Sequence, residues 1–242
     1  MASGAASIPT GGNSAAAHSK RRALIEIAIA YGLILAVIWT PRPLQRLLWL
    51  VAVAAIAAMT YLSFEGLKPM GLRRENFLRS LWVVGAALAL AAIALVVAAN
   101  LHTLLLQAGP IMYIKTYWAY AIWTFVQQFL MQCFFLLRLL RLLPGPKSAA
   151  FAAATLFALA HLPNPILAPV TLIWGFAACL LFLRYRNLYP LGMAHAIFGI
   201  TLAITIPGPV IHNMRVGLGY LTYGHRHRPA YLFQPQGPDR VH

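Results

Sequence analysis

Acidic side chains are nearly missing from this chain: Glu26, Glu65, Glu75 and Asp239 are the only four among 242 residues. None falls in the apolar stretches after residue 117, so no carboxylate is available there to take a proton from water. Charge of either sign is scarce. Only 10% of the residues are charged, against about 25% in soluble domains, which excludes an ordinary soluble globular protein. Cysteine is limited to Cys133 and Cys179, both within apolar stretches, which excludes a disulfide framework and a CxxC metal site. No ten-residue alternating pattern points to a membrane barrel, and no internal repeat is visible.

Apolar residues take the place of charge, at 61% of the chain. Residues 81–99, LWVVGAALALAAIALVVAA, run without a charge, and about 20 such residues cross a bilayer core. Spans are expected near 23–39, 45–62, 81–106, 117–137, 149–162, 167–183 and 188–206. The fold class is therefore all-α, a polytopic transmembrane helical bundle with seven to eight spans. Residues 1–22 form an expected disordered basic N-terminal tail, 23–206 the transmembrane domain with its motif-bearing core about 117–200, and 207–242 a basic C-terminal tail. Lys20, Arg21 and Arg22 before an apolar run imitate a signal peptide. The run ends in TPRP without a small-residue cleavage site, so a retained first span is expected.

Nineteen Lys and Arg give a formal charge of +15. They cluster at span ends and form no aromatic-interleaved basic groove, which points to anionic lipid headgroups and not to nucleic acid. Twelve of them, at 20–22, 68, 73, 74, 79, 138, 141, 147, 184 and 186, fall on one side, and Arg42, Arg46 and Lys115 on the other. The positive-inside rule then puts the N-terminus in the cytoplasm of a multi-pass protein of the cell (inner) membrane. Four further basic residues after 207 oppose this assignment unless the tail turns back into the membrane.

Few strongly polar side chains remain at membrane depth. Gln127, Gln128 and Gln132 lie in AIWTFVQQFLMQCFFLLR (121–138), His161 closes the fifth span, and His195 lies in the seventh. An unpaired polar group in hydrocarbon is costly, so each needs a reason. At about 100° per residue, Gln128 and Gln132 share a helix face, while Gln127 sits a quarter-turn away. Phe157 and His161 are four apart, as are His195 and Gly199. The PNP that holds Asn164 follows His161 after one leucine, and broken backbone at this depth is tolerated where it lines a cavity or is buried in protein. Helix-to-helix hydrogen bonding, at about 0.6 kcal/mol per bond, is the plainer duty for any one of these residues.

QQFLMQ (127–132), FALAH (157–161) and HAIFG (195–199), spaced by 33 residues from Gln128 to His161 and 34 from His161 to His195, resemble the three motifs of the CPBP family. That family includes the type II CAAX prenyl endopeptidases and Abi-like proteins. RNLYPLGMAH (186–195) resembles the family's approach to its last histidine, and GLKPMGLRRENFLRS (66–80) its basic interfacial segment. The resemblance spans about 65–200 and implies an intramembrane endopeptidase acting on lipid-anchored or membrane-embedded polypeptides. It implies catalytic roles at Gln127, Gln128, Gln132, His161, His195 and Gly199, with Phe157 and Asn164 lining the cavity.

The departures from the family pattern are systematic. EExxxR is replaced by QQxxxQ, and the final Asn or Asp by Gly199. A glutamine amide has no basicity near neutral pH, so the proton-taking function of the glutamates is gone. An arginine left without its carboxylates would be a buried unpaired charge, so replacing all three together preserves a neutral hydrogen-bonded network. His161 as base, with Gln128 and His195 as donors, is one way to retain hydrolysis. Cys133, about 140° around the helix from Gln128, faces away. Two histidines, His161 and His195, make a poor zinc site, and no cofactor is expected. The alternative is a catalytically inactive pseudoprotease that binds a membrane segment, prenyl chain or lipid, and non-proteolytic chemistry on a lipid or isoprenoid stays open beside it.

Overall fold

A computed structural model describes residues 11–105 and 109–223. Five helical stretches are long and apolar enough to cross a membrane: Ala17–Trp39, Leu44–Leu62, Phe77–Asn100, Ile111–Leu142 and Leu167–Tyr185. Two shorter apolar helices, Pro146–Leu159 and Tyr189–Thr205, complete the bundle. Large apolar side chains such as Leu90, Ile93, Ile114 and Ile173 are exposed along these helices. An apolar belt of that extent is stable against lipid and not against water. The chain is an integral membrane protein.

In chain order the elements are α1 (Gly11–Trp39), α2 (Leu44–Leu62), the short α3 (Phe77–Ser80), α4 (Trp82–Asn100) and α5 (Pro110–Phe129). A π-helical segment, Leu130–Leu136, joins α5 to α6 (Leu137–Leu142) without a break. Then come α7 (Pro146–Leu159), α8 (Leu167–Tyr185), α9 (Tyr189–Thr205), α10 (Gly208–Ile211) and α11 (Gly217–Leu221). The π segment is the centre of the molecule, with Met131 to Leu136 all buried. Helix α9 packs between α4 and α5, and α7 packs along α8 and against the π segment.

Small residues set the closeness of that packing. Ala149, Ala150, Ala153, Ala154 and Ala158 form the buried face of α7. A Cβ at Gly175 of α8 would stand 3.3 Å from the Phe157 ring and 3.4 Å from the Ala154 Cα. Close backbone approach of this kind is the usual way helices associate in lipid, where no hydrophobic driving force separates them from their surroundings.

The two segments flanking the motifs meet at one end of the bundle. Leu188 N–H donates to the Gly71 carbonyl (2.9 Å), and Arg73 Nε donates to the Arg186 carbonyl (2.9 Å). Gly71 has φ +71°, and a side chain there would meet the Arg186 carbonyl at 3.1 Å and the Phe182 ring at 2.6 Å, so the position needs glycine. The buried Asn187 donates to the Arg73 and Glu75 carbonyls (2.9 and 3.0 Å) and accepts from the Tyr189 amide (3.1 Å). One amide thus ties the basic segment to the start of α9.

Several expectations are corrected. Helix α1 begins at Gly11, so residues 11–22 of the expected tail are helical; residues 1–10 lie outside the described residues, as do 224–242 of the C-terminal tail. The third span ends at Asn100, not 106. The fifth covers only 14 residues, Pro146–Leu159, too few to cross alone. Residues 207–223 fold back: Gly217 N–H donates to the Leu162 carbonyl (2.8 Å), and a side chain at Gly217 would strike Ile38.

Arg138 is not an interfacial cation. It is 4% exposed, donates from Nε to Glu26 Oε2 (2.6 Å), and also reaches the Phe134 and Met59 carbonyls. Its guanidinium lies 3.6 Å from the centroid of the Phe134 ring. Glu26 further accepts from Arg22 (2.8 Å). This buried pair binds α1 to α6.

Candidate functional site

Gln128 and Gln132 are fully buried, and their side chains are joined: Gln132 Nε2 donates to Gln128 Oε1 (3.2 Å). The Gln128 carbonyl is thereby turned toward Gln132, and its Nε2 faces His195 Nδ1 at 3.1 Å. An amide nitrogen can only donate, so His195 Nδ1 accepts and the neutral ring carries its proton on Nε2. The hydrogen bonds run in one direction, from the π segment through α5 to α9.

His161 has the opposite arrangement. It follows α7 in the turn before Pro163, and its Nδ1 lies 2.7 Å from the Phe157 carbonyl. A carbonyl can only accept, so His161 carries its proton on Nδ1 and keeps the lone pair on Nε2. The Phe157 ring packs edge-on against both imidazoles, with centroids 4.7 Å from His161 and 5.7 Å from His195. The two rings are therefore no more than about 10 Å apart. Gly175 leaves the room for Phe157 to hold this position.

Gly199 lies one turn beyond His195 on α9. A Cβ built there falls on the Tyr120 hydroxyl, with the ring carbons Cζ and Cε1 at 2.5 and 2.7 Å. Tyr120 of α5 thus fills the space that a side chain at 199 would need. The same two helices touch closely at Gly192, where a Cβ would enter the Phe125 ring, and the buried Thr124 donates to the Gly192 carbonyl (3.4 Å). Trp174 of α8 completes the surroundings. Its ring lies 6.3 Å from His195 and 4.9 Å from Phe198, and its buried indole N–H has no hydrogen-bond partner among the described residues. Gln132 Oε1 is likewise buried, with no hydrogen-bond partner among the described residues. The unpaired donor next to His195 and the unpaired acceptor on the amide bonded to Gln128 are groups able to receive a polar ligand.

Of the residues singled out from sequence, Gln128, Gln132, Phe157, His161 and His195 meet at one place, with Gly199 at its edge. Gln127 does not join them; it is half-buried and makes none of the site's hydrogen bonds. Asn164 is buried but committed elsewhere. Its amide donates to the Ile211 and Arg215 carbonyls (2.9 and 3.1 Å), and its oxygen accepts from Ile166 N–H and Leu167 N–H (3.1 and 3.0 Å). It caps α8 and clamps the C-terminal segment, with nothing left to offer a cavity. Cys133 donates to the Met70 carbonyl (3.0 Å), away from the histidines. Among the described residues, no group of three or more His, Cys, Asp or Glu could hold a metal ion.

Residues 118–201 match the family of type II CAAX prenyl endopeptidase Rce1-like proteins. This match over about a third of the chain supports the CPBP resemblance carried by the three motifs, all of which lie inside it. It begins two residues before Tyr120 and ends two after Gly199, so every residue of the site lies within it. No curated protein and no solved structure matches the chain.

Nothing in the sequence singles out Tyr120, Thr124 or Trp174. Each is an aromatic or hydroxyl residue in an apolar helix, a setting in which such residues are common, and no spacing sets them apart. The glycine at 199 is the one indirect signal, since an absent side chain in a packed interior implies that a neighbour fills the space.

Proposed function

We propose that this CPBP-family membrane protein is an intramembrane endopeptidase for lipid-anchored or membrane-embedded polypeptides, with an imidazole in place of the carboxylate base. The observation that supports this reading is the opposite placement of the two ring protons: His161 offers a lone pair at Nε2, and His195 offers a proton at Nε2. That pairing is the minimum needed to add water to a carbonyl.

In this mechanism His161 Nε2 takes a proton as the water oxygen attacks the peptide carbonyl carbon. The C=O electron pair moves to oxygen, and the oxyanion accepts from His195 Nε2–H. Collapse of the tetrahedral intermediate breaks the C–N bond, and the His161 imidazolium returns its proton to the leaving nitrogen. Gln128 holds the His195 tautomer, and Gln132 holds Gln128. In this reading the protein resides in the cell membrane with its N-terminus in the cytoplasm, which the excess of Lys and Arg on that side of the spans supports.

A second reading is favoured by the amide pair itself. With Gln128 and Gln132 donating and accepting only hydrogen bonds, and Tyr120 filling the space at Gly199, the same site would hold a membrane segment, prenyl chain or lipid uncut. Reconstituted protein incubated with prenylated and transmembrane peptides separates the two. Product from the wild-type protein supports the peptidase. Binding without product, with cleavage appearing only in Gln127→Glu/Gln128→Glu, supports the pseudoprotease.

A further inference from the structure

The basic end of the bundle holds an open groove of about 430 Å³ between three separate parts of the chain. Glu65, Lys68 and Arg73 come from the segment after α2, Arg141 from α6, and Arg186 from the junction of α8 and α9. Four cations thus face one carboxylate, a formal surplus of three positive charges. The single acid is already engaged, since Arg141 Nη2 lies 2.6 Å from Glu65 Oε1. Lys68 lies 3.8 Å from Glu75, a loose pair at the surface.

Arg73 and Arg186 are the informative pair. Arg73 is fixed by hydrogen bonds from Nε and Nη2 to the Arg186 and Tyr185 carbonyls, so its guanidinium is a rigid part of the wall. The Arg186 guanidinium packs over Phe182, with 5.5 Å to the ring centroid, and has no carboxylate within ion-pair distance among the described residues. Burial and the charge on Arg73 push it below the usual guanidinium range. Holding two like charges together and partly out of water is unfavourable unless an anion joins them.

The groove's surroundings fix the kind of anion. The end of α2, the end of α6, the end of α8 and the starts of α4 and α9 all lie at this face: Arg22 reaches the Leu62 carbonyl, and Trp82 Nε1 donates to the Tyr185 hydroxyl (3.1 Å). Helix ends with aromatic and basic residues mark the headgroup level of a bilayer, where phosphates are the abundant anions. We propose that this groove is a specific site for the phosphate of an anionic lipid headgroup, held by Arg73, Arg141 and Arg186 with Lys68 at its mouth. Guanidinium forks suit phosphate oxygens because they donate two parallel hydrogen bonds.

The test uses the full-length protein in a neutral detergent, titrated with short-chain phosphatidylglycerol, phosphatidylcholine or inorganic phosphate. Binding is counted by native mass spectrometry and by intrinsic tryptophan fluorescence. The expected result is saturable binding of phosphatidylglycerol, weakened about tenfold for each charge-assisted contact removed in Arg141→Gln and Arg186→Gln. Lys147→Gln/Arg184→Gln removes two charges from the same face but none from the groove, and should bind as the wild type does. Equal losses in that control would show a diffuse field and overturn the site. Unchanged phosphatidylglycerol binding in Arg141→Gln/Arg186→Gln would overturn it too. Saturable binding of inorganic phosphate with no preference for phosphatidylglycerol would overturn the lipid as its source. Elution volume and helical content of each variant guard against misfolding.

Discussion

The Tyr120 hydroxyl occupies the position that the Cβ of any other residue at 199 would have to take. The two helices that carry the last histidine and the first glutamines are thereby locked by a tyrosine against a glycine. Gly199→Ala should destabilise the protein by about 1–3 kcal/mol through overpacking. Tyr120→Phe should not relieve that clash, because the ring carbons remain within 2.7 Å, whereas Tyr120→Leu should. Thermal unfolding in detergent of the single and double variants checks this. Additive losses in Gly199→Ala/Tyr120→Leu would show that the two residues are not coupled.

Glu26 and Arg138 give the second prediction. Removing one partner of a buried pair leaves an uncompensated charge, at a cost of about 3–5 kcal/mol, while replacing both with apolar residues is close to neutral. Glu26→Leu should therefore be much less stable than Glu26→Leu/Arg138→Met. The comparison is a double-mutant cycle on unfolding in detergent. A double variant as unstable as the single would contradict the pairing.

Asn164 should behave as a clamp and not as a ligand-binding residue. Asn164→Ala removes two donors and two accepted bonds, and the carbonyls and amides left behind lose about 1–3 kcal/mol each where they stay buried and unpaired. The segment 207–223 should then become sensitive to protease at concentrations that leave the wild type intact. Asn164→Asp keeps the cap on α8 and loses only the tether, so its cleavage should be confined to the same segment.

The orientation can be read with cysteines, because Cys133 and Cys179 are both buried and give little background. In intact cells an impermeant thiol reagent should label Lys115→Cys and not Lys147→Cys, both positions being exposed. The reverse pattern would place the N-terminus outside.

Peptide cleavage should depend on the two histidines differently. His161→Ala should lose about 10²–10⁴-fold in rate, the usual contribution of a general base. His195→Ala should lose about 10²–10³-fold, as for a removed oxyanion donor. An imidazolium has no lone pair, so activity should fall as acid protonates His161, and Gln128→Ala should slow the reaction without moving that profile.

How far the sequence reaches differs between fold and site. Apolar runs without charge gave the long spans, because hydrocarbon thickness sets their length directly. The shortness of α7 was hidden because FALAHL continues the apolar run past Leu159, where the backbone turns. Gln128 and Gln132 could be placed on one face by angle alone, and they do bond to one another. The π-helical segment that starts two residues after Gln128 has no local signature; it forms where the buried residues Met131 to Leu136 pack. Arg138 looks like a headgroup cation in the sequence because its partner Glu26 is 112 residues away. Long-range pairs of this kind, like Tyr120 with Gly199, exist only once the helices are arranged.

The ring nitrogens themselves give the most direct test of the mechanism. With ¹⁵N-histidine-labelled protein in bilayers, and His161→Ala and His195→Ala used for assignment, nitrogen shifts report which atom carries each proton. The account predicts a proton on Nδ1 in His161 and on Nε2 in His195 at neutral pH. The same tautomer in both rings, or a doubly protonated His161, would contradict it.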